Sequence, residues 1–556
     1  MKEDLAKVTY FAQTNSRGGD TPFGIKRKDR ERHMYVIGKT GMGKSTLLEN
    51  MAIQDIRGGE GVAFIDPHGA TADRLLEYVP EHRIKDVLYF APFDMEYPVA
   101  FNVMEDVGYD KRHLVVSGLL SAFRKIWVDA WSARMEYILS NTLLALLEYP
   151  GATLLDVNRM LINKIFRKKV VENVKDPVVK AFWVEEFATY TDRYTQEATP
   201  AIQNKVGQFT SNPLIRNIVG QPKSSFDIRK MMDEKKIIIM NLSKGRVGEV
   251  NATLLGSMLV TKIYLAAMSR ADVSMQVMKN LPSFYFYVDE FQSFANQSFA
   301  DILSEARKYK LNLIIAHQYV EQVEEEVRDA VFGNVGTTIA FRVGPFDAEV
   351  LETIFQPQFE ATDLVNLGFA QIYLTLMIDG VGSPPFSATT LPPFDPSPQK
   401  FVAKVIESSR AQFGKLRVEV EASIAKWHES DKEPPRPPKV QHTPVAFQPL
   451  RHERKEPARP AGGPPRPPAA PQKPRPVQPQ NKPERPPLGG ATSLREALQQ
   501  AVGNKKESSG SQHTSDLKEA LNKVAPAAAS STPKSAELPQ DVLKRMLAVD
   551  ETDDTK

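Results

Sequence analysis

The chain has 556 residues with a formal net charge of +3, and it contains no cysteine. The lack of cysteine excludes a disulfide scaffold and any zinc or iron–sulfur site with cysteine ligands, and it fits a reducing cytosol. The small net charge does not mark the whole chain as a polyanion binder, so contact with nucleic acid would need a local basic patch or a lined channel.

Residues 1–400 have the pattern of a globular α/β fold. Short apolar segments rich in β-branched and aromatic residues recur there, and several show no alternation, which is typical of strands buried on both faces of a parallel sheet. The predicted strands cover residues 34–37, 62–65, 87–90, 237–240, 284–288, 313–316, 338–341 and 371–377. Helical patterns separate these strands, so the sequence predicts an α/β core with a mainly parallel sheet.

A complete Walker A pattern, which is a glycine, four residues and then Gly-Lys-Ser, follows the first predicted strand. Its residues and the next one, all candidates for nucleotide binding, are Gly38, Lys39, Thr40, Gly41, Met42, Gly43, Lys44, Ser45 and Thr46. A helix is predicted after it, and this strand–loop–helix order lets backbone N–H groups converge on phosphate oxygens. Lys44 is expected to reach the β- and γ-phosphates and the Ser45 hydroxyl to bind Mg²⁺, which predicts ATP and Mg²⁺ as cofactors.

The second predicted strand ends in Asp66-Pro67-His68-Gly69. A metal site at His68 would need other histidines or a carboxylate cluster to accompany it, and the sequence supplies none. We therefore expect this segment to form a turn that shapes the edge of the nucleotide site.

The strand signals stop between residues 106 and 227, where successive helical patterns include 131–147, 155–162 and 195–209. This pattern predicts an all-α domain inserted into the α/β core, which is divided into a first part at 1–105 and a second part at 228–398. The most apolar helical run, 254–268, is expected to be too short to span a bilayer, and it carries Thr261 and Lys262.

The strand predicted at 284–288 ends in Asp289-Glu290, the usual Walker B arrangement beside a P-loop. We expect Asp289 to hold Mg²⁺, through water or through Ser45, and Glu290 to polarise the attacking water as a general base. The alternative is an acidic N-cap of a following helix, since acidic residues favour that position.

Three further polar residues are candidates for catalysis. Gln318 follows the strand predicted at 313–316, where it either contacts phosphate or water or is an ordinary polar residue at a strand end. Arg307, on a helix predicted over 301–310, and Arg342, at the end of the next strand, are candidates for the arginine that ring ATPases supply from a neighbouring subunit. Arg307 is preferred, and a solvated helix arginine is the alternative.

The composition changes near residue 430, after a predicted helical extension at 399–430. Nearly half of the 41 prolines lie between Pro434 and Pro487, so residues 431–556 are predicted to be a disordered, Pro-rich tail. Short helical motifs recur in it at 492–498, 514–521 and 541–548. They either fold on a partner or are nascent helices in a solubilising tail.

Several motifs occur in a fixed order along the chain. They are GKTGMGKST from Gly38, IDPHG at 65–69, VDEFQSF at 288–294, Ala306-Arg307-Lys308, AHQ at 316–318 and FRVG at 341–344. Together they resemble the type IV secretion coupling-protein ATPases of the TraG/TraD kind, in the wider HerA–FtsK superfamily. The Walker motifs alone are common to many ATPases, whereas their combination with DPHG and AHQ is more specific.

The resemblance implies a RecA-like motor domain with an inserted all-α domain, which assembles as a homo-hexameric ring. Such a ring binds DNA without strong sequence preference and uses ATP to move it through the central channel. The resemblance assigns nucleotide roles to Lys44, Ser45, Asp289, Glu290 and Gln318, and it places Arg307 where a trans arginine is expected. The all-α domain would face relaxosome or secretion-channel proteins.

Typical coupling proteins of this kind begin with transmembrane helices, and none is predicted in this sequence. We therefore expect a cytoplasmic chain that a partner recruits to the inner face of the cell membrane, a soluble relative, or a chain that begins after an omitted anchor. Two other functions stay open. One is a HerA-like DNA-repair translocase or a pilus-assembly ATPase, and the other is an adaptor that recruits partners through its tail.

Overall fold

The computed structural model describes residues 4–429 except 16–18, 192, 194–197 and 397. The predicted tail at 431–556 and its short helical motifs therefore lie outside the described residues. The domain boundaries drawn from the sequence, at residues 105, 227, 398 and 430, stay predictions.

A large mixed sheet forms the centre of the described chain. The strands are β1 (Val8–Gln13), β2 (Pro22–Lys26), β3 (Met34–Ile37), β4 (Gly61–Asp66), β5 (Val87–Phe90), β6 (Ile237–Asn241), β7 (Phe284–Val288), β8 (Leu311–His317), β9 (Thr337–Ala340), β10 (Gln371–Thr375), β11 (Met377–Ile378), β12 (Val381–Gly382) and β13 (Phe386–Thr390). Eleven of them form one sheet in the order β2-β1-β13-β10-β9-β3-β8-β7-β4-β6-β5, and β11 pairs with β12 in a separate hairpin.

Seven neighbouring strands, from β9 to β5 in that order, are parallel. Every strand predicted from the sequence contributes to the sheet, although the one predicted at 371–377 ends at Thr375 and Met377 belongs to the separate hairpin. The predicted α/β core with its mainly parallel sheet is confirmed. The prediction missed β1, β2 and β13, which extend the sheet beyond β10 with antiparallel pairing. Strands β2 and β13, PFGIK and FSATT, lack a continuous apolar run and gave no clear signal.

Helices connect the strands and cover the sheet. In chain order they are α1 (Lys44–Arg57), α2 (Ala70–Leu76), α3 (Arg112–Ile126), α4 (Ala133–Leu147), α5 (Asp156–Ile162), α6 (Lys164–Asn173), α7 (Pro177–Ala181), α8 (Pro200–Thr210), α9 (Pro213–Val219), α10 (Ile228–Asp233), α11 (Lys244–Val247), α12 (Glu249–Met268), α13 (Met275–Asn280), α14 (Gln297–Glu305), α15 (Glu325–Asn334), α16 (Pro345–Phe355), α17 (Ala361–Asn366), α18 (Val402–Phe413) and α19 (Arg417–Glu429). Helices α3 to α10 come between β5 and β6 in the chain, and we term α3 to α9 the helical region.

Alternate residues of the parallel strands enter two different hydrophobic cores. In β3, Tyr35 and Ile37 belong to the core that includes the helical region, whereas Met34 and Val36 belong to the core around α1. All four side chains are at most 2% exposed. The sheet is therefore buried on both faces, which explains why its strands show no alternation in the sequence.

A buried ion pair ties α1 to the chain just before β3. Arg30 donates to both carboxylate oxygens of Asp55 at 2.8 Å, and it also donates to the Tyr287 hydroxyl at 2.8 Å. Arg30 is 1% exposed and its guanidinium lies over the Tyr285 ring. Because both charges are out of water, each depends on the other for compensation.

Helix α12 is longer than the apolar run predicted at 254–268. Among the described helices it is the one long and apolar enough to cross a membrane, counted from Glu249 to Asp272, and 72% of its apolar window is buried inside the protein. It packs against α3, where a Cβ added to Gly118 would come within 2.5 Å of the Thr261 side chain. The expectation that this helix is too short was wrong, because residues 249–253 extend its first turns.

The last described helices attach to different parts of the molecule. Helix α18 lies along β5, the outer strand of the sheet, and the Ser409 hydroxyl accepts a hydrogen bond from the Tyr89 N–H at 2.9 Å. Helix α19 packs on the helical region, where Ile424 contacts Leu155 and the Trp427 ring N–H donates to Asp156 at 2.8 Å. Helix α18 thereby covers a strand edge that would otherwise be open to pairing.

Candidate functional site

The P-loop, residues 38–45, closes around the side chain of Lys44, the first residue of α1. The Lys44 ammonium donates to the carbonyl oxygens of Gly38 and Lys39, at 2.7 and 3.2 Å. Burial lowers its pKa, and the nearby charges of Glu290 and Asp289 act in the opposite direction. The ammonium is thus held at the centre of the loop, where the phosphates of a nucleotide lie in such loops.

The start of the loop is held by the end of β9. The Lys39 N–H donates to the carbonyl oxygen of Arg342 at 2.8 Å. A Cβ at Gly38 would lie 2.5 Å from the Cβ of Phe341, and the φ of Gly43 is +115°, so both positions need glycine. Arg342 therefore lies at the nucleotide edge of its own subunit and supports the loop through its backbone.

The other predicted nucleotide-binding residues differ in their exposure to solvent. Thr40 and Gly41 are exposed at the tip of the loop, whereas Met42 is buried. Ser45 and Thr46 are half-buried in the first turn of α1. The loop is therefore anchored by Met42 and Lys44, and it presents its tip to solvent.

Ser45 and Asp289 bring the two sequence motifs together. The Ser45 hydroxyl donates to a carboxylate oxygen of Asp289 at 2.9 Å. The pKa of Asp289 is raised to about 6, mainly by burial and also by the nearby carboxylate of Asp66. Mg²⁺ prefers oxygen ligands such as hydroxyl and carboxylate groups. The adjacent side chains of Ser45 and Asp289 supply one of each, so these residues fit this ion.

Asp66 also organises the turn that follows β4. Its carboxylate accepts hydrogen bonds from the backbone N–H groups of His68, Thr71 and Ala72, at 2.8, 2.9 and 3.0 Å. The His68 side chain is exposed. The segment forms a turn at the carboxyl edge of the sheet, and its electrostatic contact with Asp289 is a feature that the sequence analysis missed.

Glu290 has a left-handed backbone and a side chain held on both sides. Its φ is 49° and its ψ is 52°, a conformation that costs a residue with a Cβ about 1–2 kcal/mol. One carboxylate oxygen accepts from the amide of Gln318, and the other accepts from the amide of Gln292 at 2.5 Å. The Gln318 carbonyl oxygen in turn accepts from the Thr40 hydroxyl at 2.9 Å. Gln318 therefore connects the tip of the P-loop to Glu290.

His317 is the buried neighbour of Gln318. Its ring contacts the Tyr35 hydroxyl at 3.0 Å, and burial, with the charge of Lys44 as a further cause, lowers its pKa to about 3. A neutral ring follows from this pKa at physiological pH. His317 thus packs beneath the site, while Gln318 is the residue that faces Glu290.

Arg307 lies far from the P-loop of its own chain. It is an exposed residue in a 3₁₀ turn, Ala306–Tyr309, that follows α14, and not in the helix predicted over 301–310. The turn precedes β8, whereas the nucleotide residues follow the other end of that strand. A strand of 7 residues is about 23 Å long, so Arg307 cannot reach its own nucleotide site.

Comparisons with known proteins agree with this arrangement. A family model described as the type IV secretion-system coupling protein DNA-binding domain matches residues 19–352. The bacterial conjugative coupling protein TrwBΔN70, in an unbound monoclinic form, is similar in fold with a TM-score of 0.50 and 12% identity, over 70% of this chain and 91% of that one. No curated protein sequence matched the chain.

Two further structures of plasmid coupling protein TrwB share this likeness. The complex with the GTP analogue GDPNP has a TM-score of 0.50 and 14% identity, over 71% of this chain and 98% of that one. The complex with the ATP analogue ADPNP has a TM-score of 0.50 and 13% identity, over 72% and 98%. Since the family model spans more than half of the sequence, the chain belongs to the type IV secretion-system coupling protein family.

Proposed function

We propose that the protein hydrolyses ATP and uses the energy to move DNA, as a ring motor for type IV secretion or conjugation. The observation that carries the proposal is the 2.9 Å hydrogen bond between Ser45 and Asp289, which brings the P-loop and the strand-end carboxylate together. Family membership supports the DNA substrate, and the likeness to TrwB in complex with nucleotide analogues supports the nucleotide.

In this proposal Lys44 binds the β- and γ-phosphates of ATP, and Ser45 and Asp289 hold Mg²⁺. When bound there, Mg²⁺ would neutralise phosphate charge. Glu290 accepts a proton from a water molecule while the water oxygen bonds to the γ-phosphorus and the bond to the β–γ bridging oxygen breaks, which releases ADP and phosphate. A carboxylate accepts about four hydrogen bonds, so Glu290 can bind this water and keep both glutamine amides.

Gln318 would report the state of the nucleotide. It lies between the Thr40 hydroxyl, at the tip of the P-loop, and Glu290. A phosphate that displaces Thr40 would change the hydrogen bond that Gln318 makes to Glu290. We therefore assign Gln318 to positioning the general base as the nucleotide binds and leaves.

The position of Arg307 supports a ring. Arg307 lies near the amino ends of the parallel strands, whereas the P-loop of the same chain lies at their carboxyl ends. It can therefore contact a phosphoryl group only in a neighbouring subunit. An arginine supplied in this way stabilises charge on the transferring group. We propose a homo-hexamer, recruited to the inner face of the cell membrane by secretion-channel or relaxosome proteins that bind the helical region or the tail.

The first experiment compares ATP hydrolysis with and without DNA at one fixed moderate salt concentration. We expect DNA to stimulate hydrolysis, and higher salt to weaken DNA binding steeply because phosphate contacts dominate. Glu290→Gln should abolish the DNA-stimulated rate, whereas Glu321→Gln, a change at an exposed glutamate, should leave it intact. Glu290-dependent hydrolysis that ignores DNA would contradict the DNA motor and favour a pilus-assembly ATPase.

A further inference from the structure

The loop that follows Glu290, residues 291–296, is bound from several directions. We term it the Glu290 loop. Its Gln292 donates to Glu290 at 2.5 Å, so the position of the loop decides whether this hydrogen bond exists. The left-handed backbone of Glu290 is unfavourable without support from its surroundings. The groups that hold the Glu290 loop therefore help to set the geometry of the general base.

Two of the hydrogen bonds that hold the Glu290 loop come from α11 and α12. The Lys244 ammonium, in α11, donates to the Ser293 hydroxyl at 3.1 Å. The Ser257 hydroxyl, in α12, donates to the carbonyl oxygen of Phe294 at 3.3 Å. Both contacts fix the middle of the loop to helices that follow β6.

Other hydrogen bonds to this loop come from the helical region. Lys125, near the end of α3, donates from its ammonium to the carbonyl oxygens of both Gln292 and Ala295. Lys125 is half-buried, and burial lowers its pKa to about 8. A lysine whose charge is costly to bury and which bonds two carbonyl oxygens holds the backbone of the loop from the α3 side.

These contacts form one continuous path across the molecule. The path runs from Lys125 in α3 to Gln292, then to Glu290 and Gln318, and ends at Thr40 at the tip of the P-loop. A movement of α3 relative to the sheet would shift Gln292 first and Glu290 next. The path connects the helical region to the general base without passing through the hydrophobic core.

We infer that Lys125 is a positioning residue, through which the helical region sets the orientation of Glu290 and thereby the rate of hydrolysis. The inference rests on the proposed function, since it assigns the general base to Glu290. The function that it adds is regulatory. A partner that moves the helical region would switch hydrolysis on or off without touching the nucleotide.

The alternative is that Lys125 only stabilises the fold. Lys262 offers a matched control, because burial also lowers its pKa to about 8 and its ammonium also donates to a backbone carbonyl oxygen, that of Glu105. It lies in α12, away from the path described above. Lys125→Met and Lys262→Met remove the same charge from similar surroundings, so a difference between them isolates the contact with the Glu290 loop.

The experiment measures kcat, KM and hydrogen exchange in the full chain. We expect Lys125→Met to lower kcat on the order of 10–100-fold with little change in KM, because the P-loop is untouched and only the base is displaced. Lys125→Arg should restore part of the loss, and Lys262→Met should keep the wild-type kcat. Backbone amides of residues 290–296 should exchange faster in Lys125→Met, while those of the P-loop should not.

A second variant protects the test against misfolding. Gln292→Ala should lower kcat to the level of Lys125→Met, and the double variant should lose no more than either single one, since both act on one path. An unchanged kcat in Gln292→Ala, additive losses in the double variant, or an equal loss in Lys262→Met would overturn the inference. Wild-type protein without Glu290-dependent hydrolysis would refute the proposed function instead, and the exchange of residues 290–296 would still decide the role of Lys125.

Discussion

Ser45 and Asp289 are 244 residues apart in the chain, and their side chains meet in a 2.9 Å hydrogen bond. The strands that precede them, β3 and β7, are separated in the sheet only by β8. The register places Ile37 opposite His317 and Val288 opposite Ile315, so the carboxyl ends of all three strands lie at one edge. The chemistry proposed for the protein is therefore concentrated where open parallel sheets bind ligands.

Lys44→Ala should weaken nucleotide binding. The variant removes a charged donor that would pair with phosphate, and a hydrogen bond to a charged group contributes about 1.5–3 kcal/mol, or about 10–160-fold in affinity. Titration with a fluorescent ATP analogue measures this loss. Lys308→Ala, at an exposed lysine beyond the opposite end of β8, is the control and should bind like the wild type. Equal affinity in Lys44→Ala and Lys308→Ala would contradict the assignment.

Glu290→Gln should separate binding from hydrolysis. The amide keeps the size of the side chain but cannot accept the proton of water, and loss of a general base costs about 100–10,000-fold in rate. We expect unchanged ATP affinity and a single-turnover rate reduced by that factor. Normal turnover in this variant would exclude Glu290 as the base.

Arg307→Ala should be inactive yet bind nucleotide normally. Because Arg307 cannot reach the P-loop of its own chain, its loss should affect the site of a neighbour. Mixing the variant with wild-type protein before assembly should therefore reduce the rate by more than the fraction of variant added. A rate that falls only in proportion to that fraction would show that Arg307 does not act between subunits.

Arg30→Ala should strongly destabilise the fold. The variant leaves the buried Asp55 carboxylate without its cation, and breaking a buried pair costs about 3–5 kcal/mol. Arg328→Ala breaks an exposed pair with Glu325 and should change the free energy of unfolding by about 0–1 kcal/mol. Urea denaturation followed by circular dichroism compares the two variants, and equal midpoints would contradict the prediction.

The stability of the protein should fall as the pH drops from about 6.5 to about 4. His33 is buried and its Nδ1 accepts from the Leu313 N–H, and burial, with Arg307 as a smaller cause, lowers its pKa to about 4. Between this value and the unfolded pKa of about 6.5 the unfolded chain binds more protons, so stability is lost as pH falls. His33→Gln should flatten the dependence by about 1.4 kcal/mol per pH unit in thermal or urea unfolding. An unchanged slope would show that the pKa of His33 is the same in the folded and unfolded protein.

The parallel strands and the P-loop were predictable because their signals are local. The strand β3, the glycines after it and α1 are contiguous, and the apolar runs that form the sheet are buried on both faces. Strands β1, β2 and β13 could not be found in this way, because none of them has a long apolar run. Strand β1 pairs with the nearby β2 and also with β13, which lies across most of the chain. Their strand conformation depends strongly on the strands with which they pair.

The residues around Glu290 were only partly predictable. Glu290 and Gln318 follow strands and could be located from the pattern, whereas Lys125 and Gln292 could not. Lys125 donates to backbone carbonyl oxygens 167 and 170 residues away, and such contacts place no demand on the identity of the accepting residue. The α-helix predicted around Arg307 ends at Glu305, because the residues before β8 form a 3₁₀ turn.

The attachment of α19 has a mechanical consequence. Its Trp427 donates to Asp156 in the helical region, so the last described helix is fixed to that region and not to the sheet. A force applied to α19 would therefore act on the helical region first. From there the force can reach α3 and Lys125, so that pulling on α19 would shift the loop that follows Glu290.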